Sequence, residues 1–148
     1  MNKFLLSLIA TAASVAFLAP VQAQTADFDV AINLTSVCKI TNSPGNVGFT
    51  YTSLQAGASN LDANGSFGLT CTNTLAYTTA LDAGGSYTDD ATNLNYSLTL
   101  APVAAGTGAL QTYAITGSMP GNQAGTCATA SCTNALATNK TRTLTVAY

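Results

Sequence analysis

Residues 26–34 read Ala26-Asp27-Phe28-Asp29-Val30-Ala31-Ile32-Asn33-Leu34. Successive side chains of a strand point to opposite faces. Ala26, Phe28, Val30, Ile32 and Leu34 therefore share one wholly apolar face, and Asp27, Asp29, Ala31 and Asn33 share a mostly polar one. The same period of two returns at the other end, where Leu144, Val146 and Tyr148 alternate with Thr143, Thr145 and Ala147. Nothing follows Tyr148 to cover the far edge of that last strand, so an open edge beside an apolar groove is expected. Proteins ordinarily blunt such an edge with charge, proline or a covering segment.

Between these two ends no 3.6-residue periodicity is sustained. β-branched and aromatic residues alternate with polar ones, punctuated by Gly, Asn, Asp and Pro. The pattern predicts an all-β domain with strands over 26–34, 37–41, 47–52, 66–72, 76–81, 93–100, 111–118 and 142–148. Loops are predicted over 57–65, 82–92 and 120–139. Short strands at this spacing suggest a sandwich. Neither an internal repeat nor a second domain is evident.

The composition removes whole classes of function. Of 148 residues only 7% are charged, against roughly 25% in an average globular protein, so Thr, Ser, Asn and Gly must make the surface. Four Lys and Arg in the whole chain cannot neutralise the phosphates that nucleic-acid binding requires, which excludes nucleic acid as a partner. The absence of His removes the usual general base, zinc ligand and pH switch together. No Ser or Cys has a base in view, so no catalytic residue is assigned and no enzyme is expected.

Met1-Asn2-Lys3 is a short cationic start, residues 4–18 are an apolar run, and Val21-Gln22-Ala23 offers small residues for cleavage. That is the pattern of a secretory signal peptide over 1–23. The apolar run of about 15 residues is short of the roughly 20 that a bilayer needs, and Pro20 follows it. Residues 24–148 keep Lys39, Lys140 and Arg142 against six Asp.

Export to an oxidising compartment makes disulfides the default state of Cys38, Cys71, Cys127 and Cys132. Four cysteines allow three connectivities. Cys127 and Cys132 lie close together in a small-residue stretch, which favours a local bridge and leaves Cys38 with Cys71. A zinc site lacks its second close pair and any His, so no metal and no cofactor are expected.

Other polar residues receive plain roles. Asp82, Asp89 and Asp90 are expected to be solvated loop acids, since no calcium-cage pattern surrounds them. Lys140 and Arg142 are placed on the solvent face of the last strand, as an aid to solubility. Tyr51, Tyr77, Tyr96 and Tyr113 are expected within strands as core or rim aromatics, not as a sugar platform.

The two ends of the chain can satisfy each other in two ways. The 26–34 strand could pair within its own domain and close an ordinary sandwich. It could equally pair with the next molecule, because strand addition draws affinity from main-chain hydrogen bonds and register from alternate side chains in pockets. The pattern alone serves both.

The order of short motifs resembles the spore coat protein U domain family, which includes the pilins of archaic chaperone-usher pili. Phe28-Asp29-Val30-Ala31-Ile32-Asn33-Leu34 followed by Cys38 resembles the donor strand leading into the first disulfide strand. Gly48-Phe49-Thr50-Tyr51, Phe67-Gly68-Leu69-Thr70-Cys71-Thr72, and the run from Ala76-Tyr77 to Ala83-Gly84 follow in the family's order. Leu94-Asn95-Tyr96-Ser97-Leu98, Tyr113 to Pro120, and Thr143-Leu144-Thr145-Val146-Ala147-Tyr148 are similar to its later strands.

The resemblance implies an immunoglobulin-like sandwich lacking its final strand and completed by donor-strand complementation. It divides the chain into a signal peptide (1–23), a donor strand (24–35) and a pilin domain (36–148). Ala26, Phe28, Val30, Ile32 and Leu34 would be donated, and the strand carrying Leu144, Val146 and Tyr148 would be the acceptor edge. It implies a structural pilus subunit that polymerises by donor-strand exchange in adhesion and biofilm formation. Its partners would be identical or related subunits joined head to tail, a periplasmic chaperone and an outer-membrane usher, and its location the bacterial cell surface. The alternative is a secreted monomeric binding module or adhesin, closed as a sandwich, that uses the Cys127 to Cys132 loop for contact.

Overall fold

The computed structural model describes residues 22–62 and 65–148. Residues 1–21, most of the expected signal peptide, lie outside the described residues. The chain falls into two units, Met1–Asn33 and Leu34–Tyr148.

The described residues are all-β with almost no helix, and their ladders are antiparallel. The strands are β1 (Cys38–Asn42), β2 (Ser59–Asn60), β3 (Gly65–Cys71), β4 (Thr78–Leu81), β5 (Ser86–Thr88), β6 (Asn95–Leu100), β7 (Leu110–Met119) and β8 (Leu144–Ala147), with a 3-10 turn over Asp82–Gly85. One sheet runs β1-β3-β7-β6-β5, with β2 also on β7; the second pairs β4 with β8.

Alternation decides which side chains form the core. On β3, Phe67, Leu69 and Cys71 point inward and are almost completely buried; Tyr113 and Ile115 of β7 and Tyr77 join them. Leu144 and Val146 of β8 pack against this cluster from the second sheet. Each large side chain so buried stabilises the fold by roughly 1.5–3 kcal/mol. Among the described residues the largest side chains below 2% exposure are Phe67, Leu69 and Cys71, and covalent support counts in a core this small. One bond links Cys38 to Cys71, directly opposed residues of β1 and β3. The other links Cys127 to Cys132 within the long loop. Both are the pairings expected from the sequence.

The β4–β5 connection is tight because Gly85 takes φ +81° with its backbone against Leu98 O, where a Cβ would come within 2.4 Å. Only glycine combines that angle with that approach.

Several expectations are corrected. Residues 26–34 form no strand; residues 22–37 contain none, and Phe28, Ile32 and Leu34 are 85%, 83% and 79% exposed. A strand's hydrogen bonds lie outside itself, so an alternating pattern without a neighbouring strand remains an extended chain. The 47–52 segment buries its side chains alternately, as its sequence does, but its backbone forms only an isolated bridge at Gly48. The 57–65 loop contains β2, and the 82–92 loop contains the 3-10 turn and β5. Tyr51 stands outside any strand, and Tyr77 immediately precedes β4.

Candidate functional site

The second sheet ends at β8. Among the described residues β8 pairs with β4 alone, from Leu81 opposite Leu144 to Thr78 opposite Ala147. The other edge of Leu144–Ala147 therefore has no strand beside it. Leu144 and Val146 turn inward, and Tyr148, just past the strand, is 61% exposed.

A cleft opens between β8 and the 44–49 segment. Its first hollow, about 530 Å³, is lined by Val47, Leu81, Leu98, Ile115 and Leu144, with Lys140 and Arg142 at one side. A second hollow of about 400 Å³ shares Val47, Leu98, Lys140 and Arg142 with the first and adds Phe49, Tyr96 and Met119. The cleft thus combines these apolar side chains with three charged ones, Lys140, Arg142 and, in the second hollow, Asp89. Its 44–49 wall owes its shape to the failed strand: Val47 and Phe49 face inward while the backbone pairs only at Gly48.

Arg142 holds the start of β8 in place. Its guanidinium lies 3.9 Å from the Tyr87 ring centroid and 5.6 Å from that of Tyr96, donates through Nε to Tyr96 Oη at 2.8 Å, and pairs with Asp82 at 3.6 Å. Tyr87 and Tyr96 are opposed on β5 and β6, so one side chain ties the second sheet to a hairpin of the first. This corrects the solvent-face placement of Arg142. The signal was in the sequence: Arg142 has the same parity as Leu144 and Val146, so it belongs to the inner face. Lys140 precedes β8, donates to Ala135 O at 2.6 Å and lines the cleft.

The three loop acids are also structural. Asp82 accepts from the Thr143 amide at 3.0 Å, and this bond, the Tyr87 hydroxyl and Arg142 together hold its carboxyl below the usual carboxylate range despite partial burial. Asp89 is 5% exposed. Burial works against its ionisation, but the Thr92 hydroxyl and amide, at 2.7 and 2.8 Å, outweigh it and lower its pKa. Asp90 accepts from the Thr138 amide at 3.1 Å and from its hydroxyl, which fastens the long loop to the end of β5. Among the described residues, no cluster of three or more His, Cys, Asp or Glu could hold a metal ion.

Tyr77 and Tyr113 share a hydroxyl–hydroxyl hydrogen bond of 2.5 Å in the core. Burial, then the bond to Tyr113, pushes the Tyr77 phenol up to about 12. Tyr87 is pushed up to about 12 as well, by burial and by the Asp82 charge.

Antiparallel ladders, a second sheet of two strands and a first strand tied by a disulfide define an all-β domain. The sequence model of the Spore Coat Protein U domain matches residues 24–104, over half of the chain, and the protein belongs to that family. The family is consistent with structural subunits of the fimbrial or pilus type and with a bacterial extracellular location. Comparison with curated proteins and with solved structures gives no match.

Proposed function

We propose that the chain is a structural subunit of an archaic chaperone-usher pilus that joins its neighbour by lending residues 26–34 as an extra strand along the open edge of β8. The domain is then an immunoglobulin-like sandwich lacking its last strand. The observation that carries this reading is the coincidence of two unmet needs in one chain. β8 has a free ladder edge beside a cleft that apolar side chains help to line, and an alternating segment holds Phe28, Val30 and Ile32 exposed.

Phe28, Val30, Ile32 and Leu34 enter successive hollows of the neighbour's cleft, while backbone hydrogen bonds complete the β8 edge. Each such side chain contributes roughly 1.5–3 kcal/mol when fully buried. The contact is head to tail and does not close on itself, so it builds a filament. Before assembly the edge needs a temporary cover, the role of a periplasmic chaperone, with an outer-membrane usher exchanging that cover for the next subunit's segment. Residues 1–23 direct export. The filament serves surface attachment and biofilm formation.

The test compares the exported protein with and without residues 24–34 by size-exclusion chromatography and by denaturing gels of unheated and heated samples. The intact form should give heat-labile ladders. The shortened form should stay monomeric or unstable until a peptide of residues 24–34 is added. Two stable monomers needing no added strand would replace this reading with that of a closed binding module.

A further inference from the structure

We propose that the groove beside the Cys127–Cys132 loop is a binding site for a neutral oligosaccharide. The groove, about 520 Å³, runs between the 51–53 segment and the loop. It is separate in chemistry from the cleft that it adjoins. Asp89, Lys140 and Arg142 line the cleft, whereas among the described residues no charged side chain lines this groove.

The lining selects its ligand by exclusion. A charged ligand would give up hydration without meeting a counter-charge, and an apolar one would strand the hydroxyls that line the walls. Those hydroxyls come in two kinds. Ser53 Oγ donates to Ala124 O at 2.5 Å and Thr129 Oγ1 to Ser131 O at 2.8 Å, so both face a ligand as acceptors. The hydroxyls of Thr52, Thr126 and Ser131 have no hydrogen bond among the described residues, and a hydroxyl can give or take. A mixed set of donors and acceptors at close spacing suits the vicinal hydroxyls of a sugar ring.

Tyr51 supplies the complementary flat surface. Its hydroxyl accepts from the Gln123 amide at 2.9 Å, which fixes the ring on the groove's rim, half-buried. Its sequence pattern predicted a place inside a strand, where it could not meet a ligand; it stands in a loop wall instead. An aromatic face held there can carry the C–H face of a pyranose while the hydroxyls take its edge.

The groove is also built in advance. Leu54 N donates to Gln123 O at 2.8 Å, Asn122 N to Gln55 O at 2.6 Å and Thr126 N to Thr92 O at 2.6 Å, and the disulfide closes the loop beyond. Little ordering entropy is left to be lost on binding. The loop wall lies outside residues 24–104, which match the family, and the groove's lining includes none of residues 26–34, so the site does not depend on the assembly reading.

The test is saturation-transfer NMR on the exported, disulfide-intact protein, with maltotriose, triacetylchitotriose and lactose as neutral probes and trigalacturonate as the charged counterpart. At least one neutral probe should bind saturably with a Kd of about 1–10 mM, and trigalacturonate about tenfold more weakly for want of a counter-charge. Thr126→Val and Ser131→Ala alter exposed side chains, so the thermal midpoint should stay unchanged while binding weakens about threefold or more. Tyr51→Leu should abolish binding. The proposal is overturned if no neutral probe binds, if trigalacturonate binds equally, or if the Thr126→Val, Ser131→Ala double variant binds as the parent does. None of these readouts involves residues 24–34, so they stand apart from the ladder experiment.

Discussion

The guanidinium of Arg142 lies over the ring of Tyr87, 3.9 Å from its centroid, and through this stack the first turn into β8 is fastened to the β5–β6 hairpin. The bond to Tyr96 and the pair with Asp82 complete the clamp. Arg142→Ala should lower stability by about 1–3 kcal/mol, since a desolvated cation–π contact alone is worth up to about 2, and should reduce the thermal midpoint by about 3–8 °C. Arg142→Lys should recover only part of that, because an ammonium has neither the flat face nor the fork. A thermal melt of the three proteins decides it.

Acid should loosen the same clamp. Asp82 and Asp89 have folded-state pKa values below those of the unfolded chain, so they bind fewer protons folded than unfolded. Their contribution is present above the unfolded carboxylate value of about 3.9 and is lost as pH falls through the folded values. Stability to denaturant should therefore drop below about pH 4, and Asp82→Asn should flatten the drop.

Alkali acts in the opposite sense on the tyrosines. Tyr77 and Tyr87, pushed up to about 12, keep their protons in the fold where free phenols near 10 lose them. Their contribution is fully present below about pH 10 and is lost as pH rises through about 12. Phenolate absorbance at 295 nm should show a late phase near 12. Tyr77→Phe should shrink that phase.

The two disulfides should differ in worth. Removing Cys38–Cys71 as a double alanine variant should cost about 3–4 kcal/mol, and removing Cys127–Cys132 about 2, because the longer loop restricts the unfolded chain more. Denaturant midpoints of the two variants give the order.

On the assembly reading, the faces of residues 26–34 should respond separately. Ile32→Ala should weaken the link between subunits by about 2–3 kcal/mol, roughly 30- to 150-fold. Ala31→Ser on the opposite face should leave it unchanged. The temperature at which ladders dissociate reads both.

Where burial and pairing coincide, the alternating pattern was enough to find the element. β3, β6, β7 and β8 appear within one or two residues of their expected bounds because Phe67, Leu69, Leu98, Tyr113 and Ile115 need a partner face, and a partner strand is present. The 47–52 segment has the same pattern and no ladder, since alternation reports which side chains are buried and not where the backbone hydrogen bonds go. β2 and β5, of two and three residues, are too short to carry a period at all. Arg142 was misplaced through its charge, although its parity put it inside. The Tyr51 groove had no signal along the chain, because segments 51–53 and 126–131 meet only through the hydrogen bonds of the loop.

The bond between Cys38 and Cys71 has a mechanical consequence. Cys38 is the first residue of β1, and Cys71 is the last of β3, the strand that carries Phe67 and Leu69. A pull on the chain ahead of Cys38 passes through sulfur into β3 before it reaches the hydrogen bonds of β1. The edge strand is spared from peeling away one bond at a time, and the tension is shared with the ladder between β3 and β7. Tensile load applied at the N-terminal side is borne by the strand with the best-buried side chains.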